Sequence, residues 1–401
     1  MTPKKILLIA HDVTLAHLGR PLQLARHLIA DGHAVTLAAS AESARFLKNF
    51  PGHTHTLAPT GKARFIDNLA RGRPVFDYAT LKRFTEEDEA LLSSLRPDLV
   101  IGDFRITLSI SARRAGIPYA TITNAYWSPA FTPRFVVPNL PMVRYLGVGI
   151  SQALFDLARP FAFAVHASPM NRLRRHYGLP SLGPDLRRIY TDADLALFSD
   201  LPEIYGLRDG AGNGGVFLGP IDWSPDLPLP DWWARIPTGK PLIYVTLGSS
   251  GAGELLPPLL EGLQQVDAQL LVSTAGAALP RVPDGVLCAD YLPGDAAAAR
   301  AALVVCNGGS PTSYQALSKG VPVLGIPGNL DQYLNMHYLE QSSLGLSLRG
   351  MQLSPAAVTT ATRRLLDEHA FRDAAQDLAR IAKHYDCAAR LRMGLAPLLG
   401  A

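Results

Sequence analysis

Three short stretches place polar side chains where a ligand would meet them. The first is Asn307-Gly308-Gly309-Ser310, which follows the apolar run Leu303 to Cys306. Glycines directly before a helix N-terminus let a ligand approach backbone N–H groups and the positive end of the helix dipole, a setting suited to a diphosphate. An ordinary tight strand-to-helix turn would use the same residues. The second is Pro327 to Asn335, carrying Asp331, Gln332 and Asn335. An acid and an amide side by side can bind neighbouring hydroxyls of a sugar. The third is His17 in the loop after the first apolar run, with Asp103 ending a later one. An imidazole in a cleft can take a proton from a hydroxyl as it attacks. By residue type alone, His17 can equally cap the following helix, and Asp103 can serve as an N-cap.

The elements around these residues read as α/β. Ser310 is a good N-cap and Pro311 suits the first helical position, so a helix is expected from Pro311 to about Lys319, ended by Gly320 and Pro322. A strand over Val321 to Ile326 completes a βαβ unit. At the other end, Ile6 to Ala10 reads as a strand, Pro21 to Ala30 as a helix and Ala34 to Ala38 as a second strand. No GxGxxG occurs there, so a dinucleotide cofactor is not indicated. Leu99 to Ile101, Tyr119 to Thr123, Pro241 to Leu247 and Leu270 to Ser273 are further strands. Loops after the C-terminal ends of parallel strands face the ligand crevice, which puts Asp103 and Asp331 on that side.

The 401 residues suit two α/β domains, and 48% hydrophobic against 18% charged content describes a globular chain. A net charge of +4 gives no argument for nucleic-acid binding. Cys288, Cys306 and Cys387 are widely spaced and suit free thiols in a reducing compartment. Lys4-Lys5 before a short apolar run reads as a first strand rather than a signal peptide. No stretch reaches the roughly 18 apolar residues of a membrane helix, and a cytoplasmic location is expected. The proline- and tryptophan-rich segment 219–239 reads as an interdomain linker. It divides an N-terminal domain, 1–218, from a C-terminal domain, 240–380, with a final helix over 381–401.

The stretch Leu303 to Asn335 resembles the nucleotide-sugar signature of family-1 glycosyltransferases with the GT-B fold, of the UDP- and macrolide-glycosyltransferase kind. In that family a His-Gly-Gly or His-Cys-Gly turn, a helix, a Gly-Val-Pro strand and an Asp-Gln pair follow in order. The resemblance implies two Rossmann-like domains facing a cleft, with acceptor bound by the first and donor by the second. Two positions depart from the pattern: the family's diphosphate-contacting histidine falls on Asn307, and its ribose-binding glutamate on Gln315. The resemblance also implies His17 as general base and Asp103 as the carboxylate orienting it. It puts Ser249, Gly308, Gly309, Ser310 and Thr312 near the diphosphate, Tyr291 against the base, and Asp331 and Gln332 on the sugar. Arg20 precedes Pro21, which stands one place later than the family's proline.

The implied reaction is inverting, metal-independent transfer of a sugar from a UDP- or dTDP-linked donor, a co-substrate rather than a cofactor, to a hydrophobic small-molecule acceptor. The aromatics of Asn124 to His176, including Tyr126, Trp127, Phe131, Phe135, Phe155 and Phe163, suit an apolar acceptor or ordinary core. Asp192-Ala193-Asp194 has the letters of a metal motif but opens an apolar strand. Three alternatives stand beside this reading. One is a lipid-linked acceptor at the membrane surface, met by Arg172, Arg174 and Arg175, as in the transferase of peptidoglycan precursors. The others are a silent nucleotide-sugar-binding protein and a sugar-nucleotide epimerase. The sugar, the base, the acceptor and the oligomeric state stay open.

Overall fold

The computed structural model describes residues 2–11, 13–59, 61–207, 214–248, 253–279 and 281–400. Ser249 therefore lies outside the described residues. Among them, two parallel sheets are seen. The first contains β1 (Lys5–Ala10), β2 (Ala34–Ser40), β3 (His53–Leu57), β4 (Leu99–Asp103), β5 (Tyr119–Thr123), β6 (Leu195–Phe198) and β7 (Val216–Phe217). Its order is β3-β2-β1-β4-β5-β6-β7. The second contains β8 (Leu242–Thr246), β9 (Gln269–Ser273), β10 (Leu287–Ala289), β11 (Leu303–Cys306), β12 (Val323–Gly325) and β13 (Gly345–Ser347), in the order β10-β9-β8-β11-β12-β13.

Both sheets are covered on both faces, which explains their near-continuous apolar strands. Along β1, Ile6 and Leu8 join Leu22, Leu24 and Leu28 of the Ala16–Ala30 helix. Leu7 and Ile9 point the other way, onto Leu91 and Leu92 of Tyr78–Leu95 and Leu108 of Leu108–Ala115. Each such leucine, fully buried, contributes roughly 1.5–3 kcal/mol. Leu391, Leu395 and Leu399 of the last helix, Cys387–Leu399, enter the β1 and β4 core, so the chain's end packs on its first domain.

Each sheet reverses strand order once, and a ligand crevice forms outside the strand ends at such a point. In the first sheet it lies between β1 and β4, where Ala10 pairs with Asp103. In the second it lies between β8 and β11, where Thr246 pairs with Cys306. Asp103 and the Asn307-Gly308-Gly309-Ser310 turn thus lie at the two switch points, while Pro327 to Asn335 follows β12 beside the second.

Several boundaries differ from expectation. The first helix begins at Ala16, not Pro21, so His17 sits in its first turn and Pro21 lies inside it. Gly309, not Ser310, is the N-cap of the Ser310–Leu317 helix. The C-terminal helical region is two helices, His369–Ala382 and Cys387–Leu399. The helix Pro141–His176 is long and apolar enough, by length and composition, to cross a membrane, which corrects the expectation that no stretch is. It is broken at Gly147, whose φ of 72° is not helical.

Candidate active site

The first turn of the Ala16–Ala30 helix and the end of β4 bring His17 and Asp103 together. His17 Nδ1 lies 2.6 Å from Asp103 Oδ1. With Nδ1 as the donor in this contact, Nε2 is the ring nitrogen that can accept a proton; Arg20 Nη2 also lies 3.1 Å from Nδ1. Asp103 is fully buried, whereas the His17 side chain is 20% exposed. The imidazole stacks on Phe104, with ring centroids 5.0 Å apart and 20° between planes. Phe104 follows Asp103 directly and holds a φ of +57°, a strained conformation for a bulky residue.

Arg20, named from the sequence without a role, joins this pair. From the next turn of the same helix it reaches back to Asp103. Its Nε donates to Oδ2 at 2.7 Å and its Nη2 to Oδ1 at 2.8 Å, a bidentate pair. Its Nη1 donates to Asn124 Oδ1 and Ser199 Oγ, both at 3.1 Å. Burial alone would push the Asp103 carboxyl up, but the Arg20 and His17 charges and their hydrogen bonds outweigh it and lower its pKa. Asp103 therefore stays ionised beside the imidazole.

Asn124 carries the network across the cleft. Its Nδ2 donates to Ser310 Oγ at 2.9 Å and to Asp200 Oδ1 at 2.8 Å. His17, Asp103, Arg20, Asn124 and Ser310 form one chain of polar contacts linking the two switch points. Burial pushes the Asp200 carboxyl up to about 6, against hydrogen bonds from the Ala125 amide and Asn124.

The glycine turn is braced by its own atoms, which corrects the expectation of bare amides there. The Gly308 amide donates to Cys306 Sγ at 3.2 Å, and the Gly309 amide to Asn307 Oδ1 at 3.0 Å. Asparagine closes such a turn on the amide two residues on. Asn335 Nδ2 pins the Gly308 carbonyl at 2.8 Å. Gly308 has a φ of +75°, and a Cβ there would come 2.6 Å from Met336. The helix N-terminus beyond the turn receives no side-chain cap; Pro311 has no N–H and the Ser313 amide donates to the Gly309 carbonyl at 3.1 Å, so among the described residues the Ser310 and Thr312 amides are the first-turn donors left over.

Asp331 Oδ1 accepts from Tyr126 OH at 3.1 Å and Trp127 Nε1 at 2.7 Å, two residues of the other domain. Its Oδ2 has no protein partner among the described residues. Trp127 packs edge-on to Tyr190 at 5.1 Å, and Tyr190 on Phe104 at 5.4 Å. An aromatic wall thus runs from the His17 ring to Asp331. Gln332 is buried, and its Oε1 accepts from the Gly328 amide. Gln315 donates to the Trp223 carbonyl and Ser224 Oγ, tying its helix to segment 219–239. Tyr291 lies under the Arg45 guanidinium, 5.0 Å from its ring centre. Phe131 packs among Phe198, Tyr205 and Phe217 in the core, away from this wall.

His11 is buried, and both its ring nitrogens lack hydrogen-bond partners among the described residues. Burial, then the charges of Arg105 and His17, hold its pKa well below the usual value. Below about pH 6.5 the unfolded chain takes up a proton that the folded chain refuses, so stability is lost as pH falls. His11→Phe, placed among Phe76 and Phe84, is expected to melt near the wild type at pH 7.5 and above it at pH 5. Melting curves at the two pH values check this.

Two parallel α/β domains, with polar loops at the two switch points, have the GT-B architecture. Residues 258–388 match the family "Erythromycin biosynthesis protein CIII-like, C-terminal domain". A PGL/p-HBAD biosynthesis glycosyltransferase of Mycobacterium tuberculosis is 42% identical over 397 residues, covering 97% of this chain and 92% of that one. A PGL/p-HBAD biosynthesis rhamnosyltransferase of Mycobacterium bovis BCG is 43% identical over 377 residues, covering 94% and 84%. The spinosyn rhamnosyltransferase SpnG, solved with thymidine diphosphate, superposes with a TM-score of 0.69 at 17% identity, covering 97% of this chain and 99% of that one. The chain belongs to the glycosyltransferase family of these mycobacterial relatives.

Proposed function

We propose that this glycosyltransferase moves a deoxyhexose, with rhamnose the first candidate, from a thymidine-diphosphate donor to a hydroxyl of an apolar acceptor, with inversion and without a metal. The observation that carries the reading is the continuous chain from His17 through Asp103, Arg20 and Asn124 to Ser310. It puts a base on one wall of the cleft in fixed register with an uncapped helix N-terminus on the other. His17 Nε2 takes the acceptor proton as the oxygen attacks the anomeric carbon, and Asp103 holds the imidazolium that forms. Attack from the side opposite the leaving group inverts the centre. The first-turn amides of Ser310–Leu317, with Ser310 and Thr312, stabilise the departing diphosphate. Asp331 Oδ2 holds a sugar hydroxyl. The aromatic wall between Phe104 and Trp127 holds the acceptor.

The sugar and base rest on names: one relative is a rhamnosyltransferase, and SpnG holds thymidine diphosphate. Asn307 in place of a histidine brings no charge to the diphosphate, so the helix dipole carries more of that work. Metal independence is supported by the use made of the Asp-Ala-Asp letters. Asp192 is paired with Arg113 and Arg174, and Asp194 accepts from the Tyr119 amide, both at the entry to β6.

A melting screen with thymidine and uridine diphosphates tests the reading. A ligand at 100 times its Kd stabilises the folded state by about 2.7 kcal/mol, a rise of several degrees. Thymidine diphosphate is expected to give the larger rise, unchanged in EDTA. No rise with either nucleotide would sink the proposal.

A further inference from the structure

We propose that the outer face of the Pro141–His176 helix docks on an anionic lipid bilayer, so that the acceptor is delivered from a membrane. After the break at Gly147 the exposed side chains Ile150, Leu154, Leu157, Phe161 and Val165 recur every three or four residues, which puts them on one face. Leu157 is 81% exposed and Phe161 75%. The stripe is roughly 22 Å long at 1.5 Å per residue. Tyr145, on the turn before the break, is 81% exposed as well. Ile66 and Leu69 of the Lys62–Ala70 helix are also exposed, and that helix's end is brought beside the stripe where His166 Nε2 donates to the Gly72 carbonyl.

The charge around this patch selects the occupant. Arg144 flanks its beginning, Arg172 and Arg175 continue the stripe at its end, and Arg73 borders it; all four are exposed with no acidic partner among the described residues. Arg172 rests over the Tyr78 ring. The long helix carries a single acid, Asp156, already engaged by Gln152 and Arg159. Arg174, grouped with Arg172 and Arg175 in the sequence, is instead buried against Asp192, so it is not available to a headgroup. An apolar face ringed by unpaired arginines matches the interface of an acidic bilayer. The helix lies on the bilayer rather than crossing it, because its opposite face is already packed. Phe155 and Phe163 join Tyr126, Phe135 and Leu334, and Phe163 also joins the cluster of Phe65, Phe76 and Phe104. One helix thus has lipid on one side and the aromatic wall beside His17 on the other. The delivery route rests on the glycosyl-transfer reading above, whereas the docking stands on this surface alone.

The test is sedimentation of the full chain with phosphatidylcholine vesicles, with and without about one-third phosphatidylglycerol. The wild type is expected to bind the acidic vesicles and be released by salt. Leu157→Ser with Phe161→Ser should weaken binding roughly 10- to 100-fold. Arg172→Gln with Arg175→Gln should weaken it roughly tenfold or more and flatten its salt dependence. Both variants should keep the wild-type melting temperature and its rise with thymidine diphosphate, which separates a failed docking site from a failed donor site. Three outcomes would overturn the proposal: no binding to acidic vesicles, equal binding to neutral ones, or self-association of the wild type that the Leu157/Phe161 variant abolishes.

Discussion

His17→Ala is expected to lower kcat by roughly 10²- to 10⁴-fold while leaving donor binding intact, the range that a positioned general base supplies. The side chain is partly exposed and its removal cuts one contact to Asp103, which Arg20 still holds through two bonds. The variant should therefore fold and still show the wild-type melting rise with thymidine diphosphate. Loss of turnover with retained nucleotide binding assigns the imidazole to the chemical step. Added imidazole should restore part of the rate by entering the space beside Phe104. Turnover within a few-fold of wild type would remove His17 from the mechanism and return it to the bland role of a side chain in the first turn of a helix.

What the sequence makes legible divides along a physical line. Features set by local order were readable: apolar runs such as Leu303 to Cys306, the glycine before the Ser310–Leu317 helix, and the register that puts Asp103 at a strand's end. Where local rules competed with tertiary contacts, boundaries moved. Pro21 suggested a helix start, yet the helix begins five residues earlier, and the added turn buries Leu18 and packs Gly19 where a Cβ would come 2.5 Å from Trp223. Ser310 has the side chain of an N-cap, but its hydroxyl accepts from Asn124 across the cleft, and Gly309 takes the cap position.

Beyond the His17–Asp103 pair, which the family resemblance implied, the polar chain through the site was out of reach for a stronger reason. Arg20 finds Asp103 across 83 residues of sequence, and Asn124 finds Ser310 across 186. Tyr126 and Trp127 looked like core or acceptor aromatics, and nothing nearby marks them as donors to Asp331. The available signal was indirect: an arginine on a helix that otherwise buries Leu22, Leu24 and Leu28, one turn after the candidate base. A charged residue in such a place needs a buried partner, and Asp103 is expected at a strand end on the ligand side.

That arginine carries the largest expected effect on stability. Arg20→Met removes the fork and leaves Asp103 ionised in a buried site with His17 as its remaining partner. Breaking one side of a buried pair costs about 3–5 kcal/mol, and here the Asn124 and Ser199 oxygens also lose a donor. Arg20→Lys keeps the charge but not the fork and should lose less. The pH dependence distinguishes lost charge pairing from lost packing. In the wild type the Asp103 pKa is lowered, so its contribution is present above the unfolded value of about 3.9 and is lost as pH falls through the folded one. Without Arg20, burial is opposed by less, the folded pKa rises, and protonation of Asp103 as the pH falls relieves the variant. The melting gap between wild type and Arg20→Met should therefore narrow as pH drops from 7 toward 4. A constant gap would mean that Arg20 acts by filling space. Asp103→Asn added to Arg20→Met should recover part of the stability and none of the turnover, because the carboxylate that holds the imidazole is then gone.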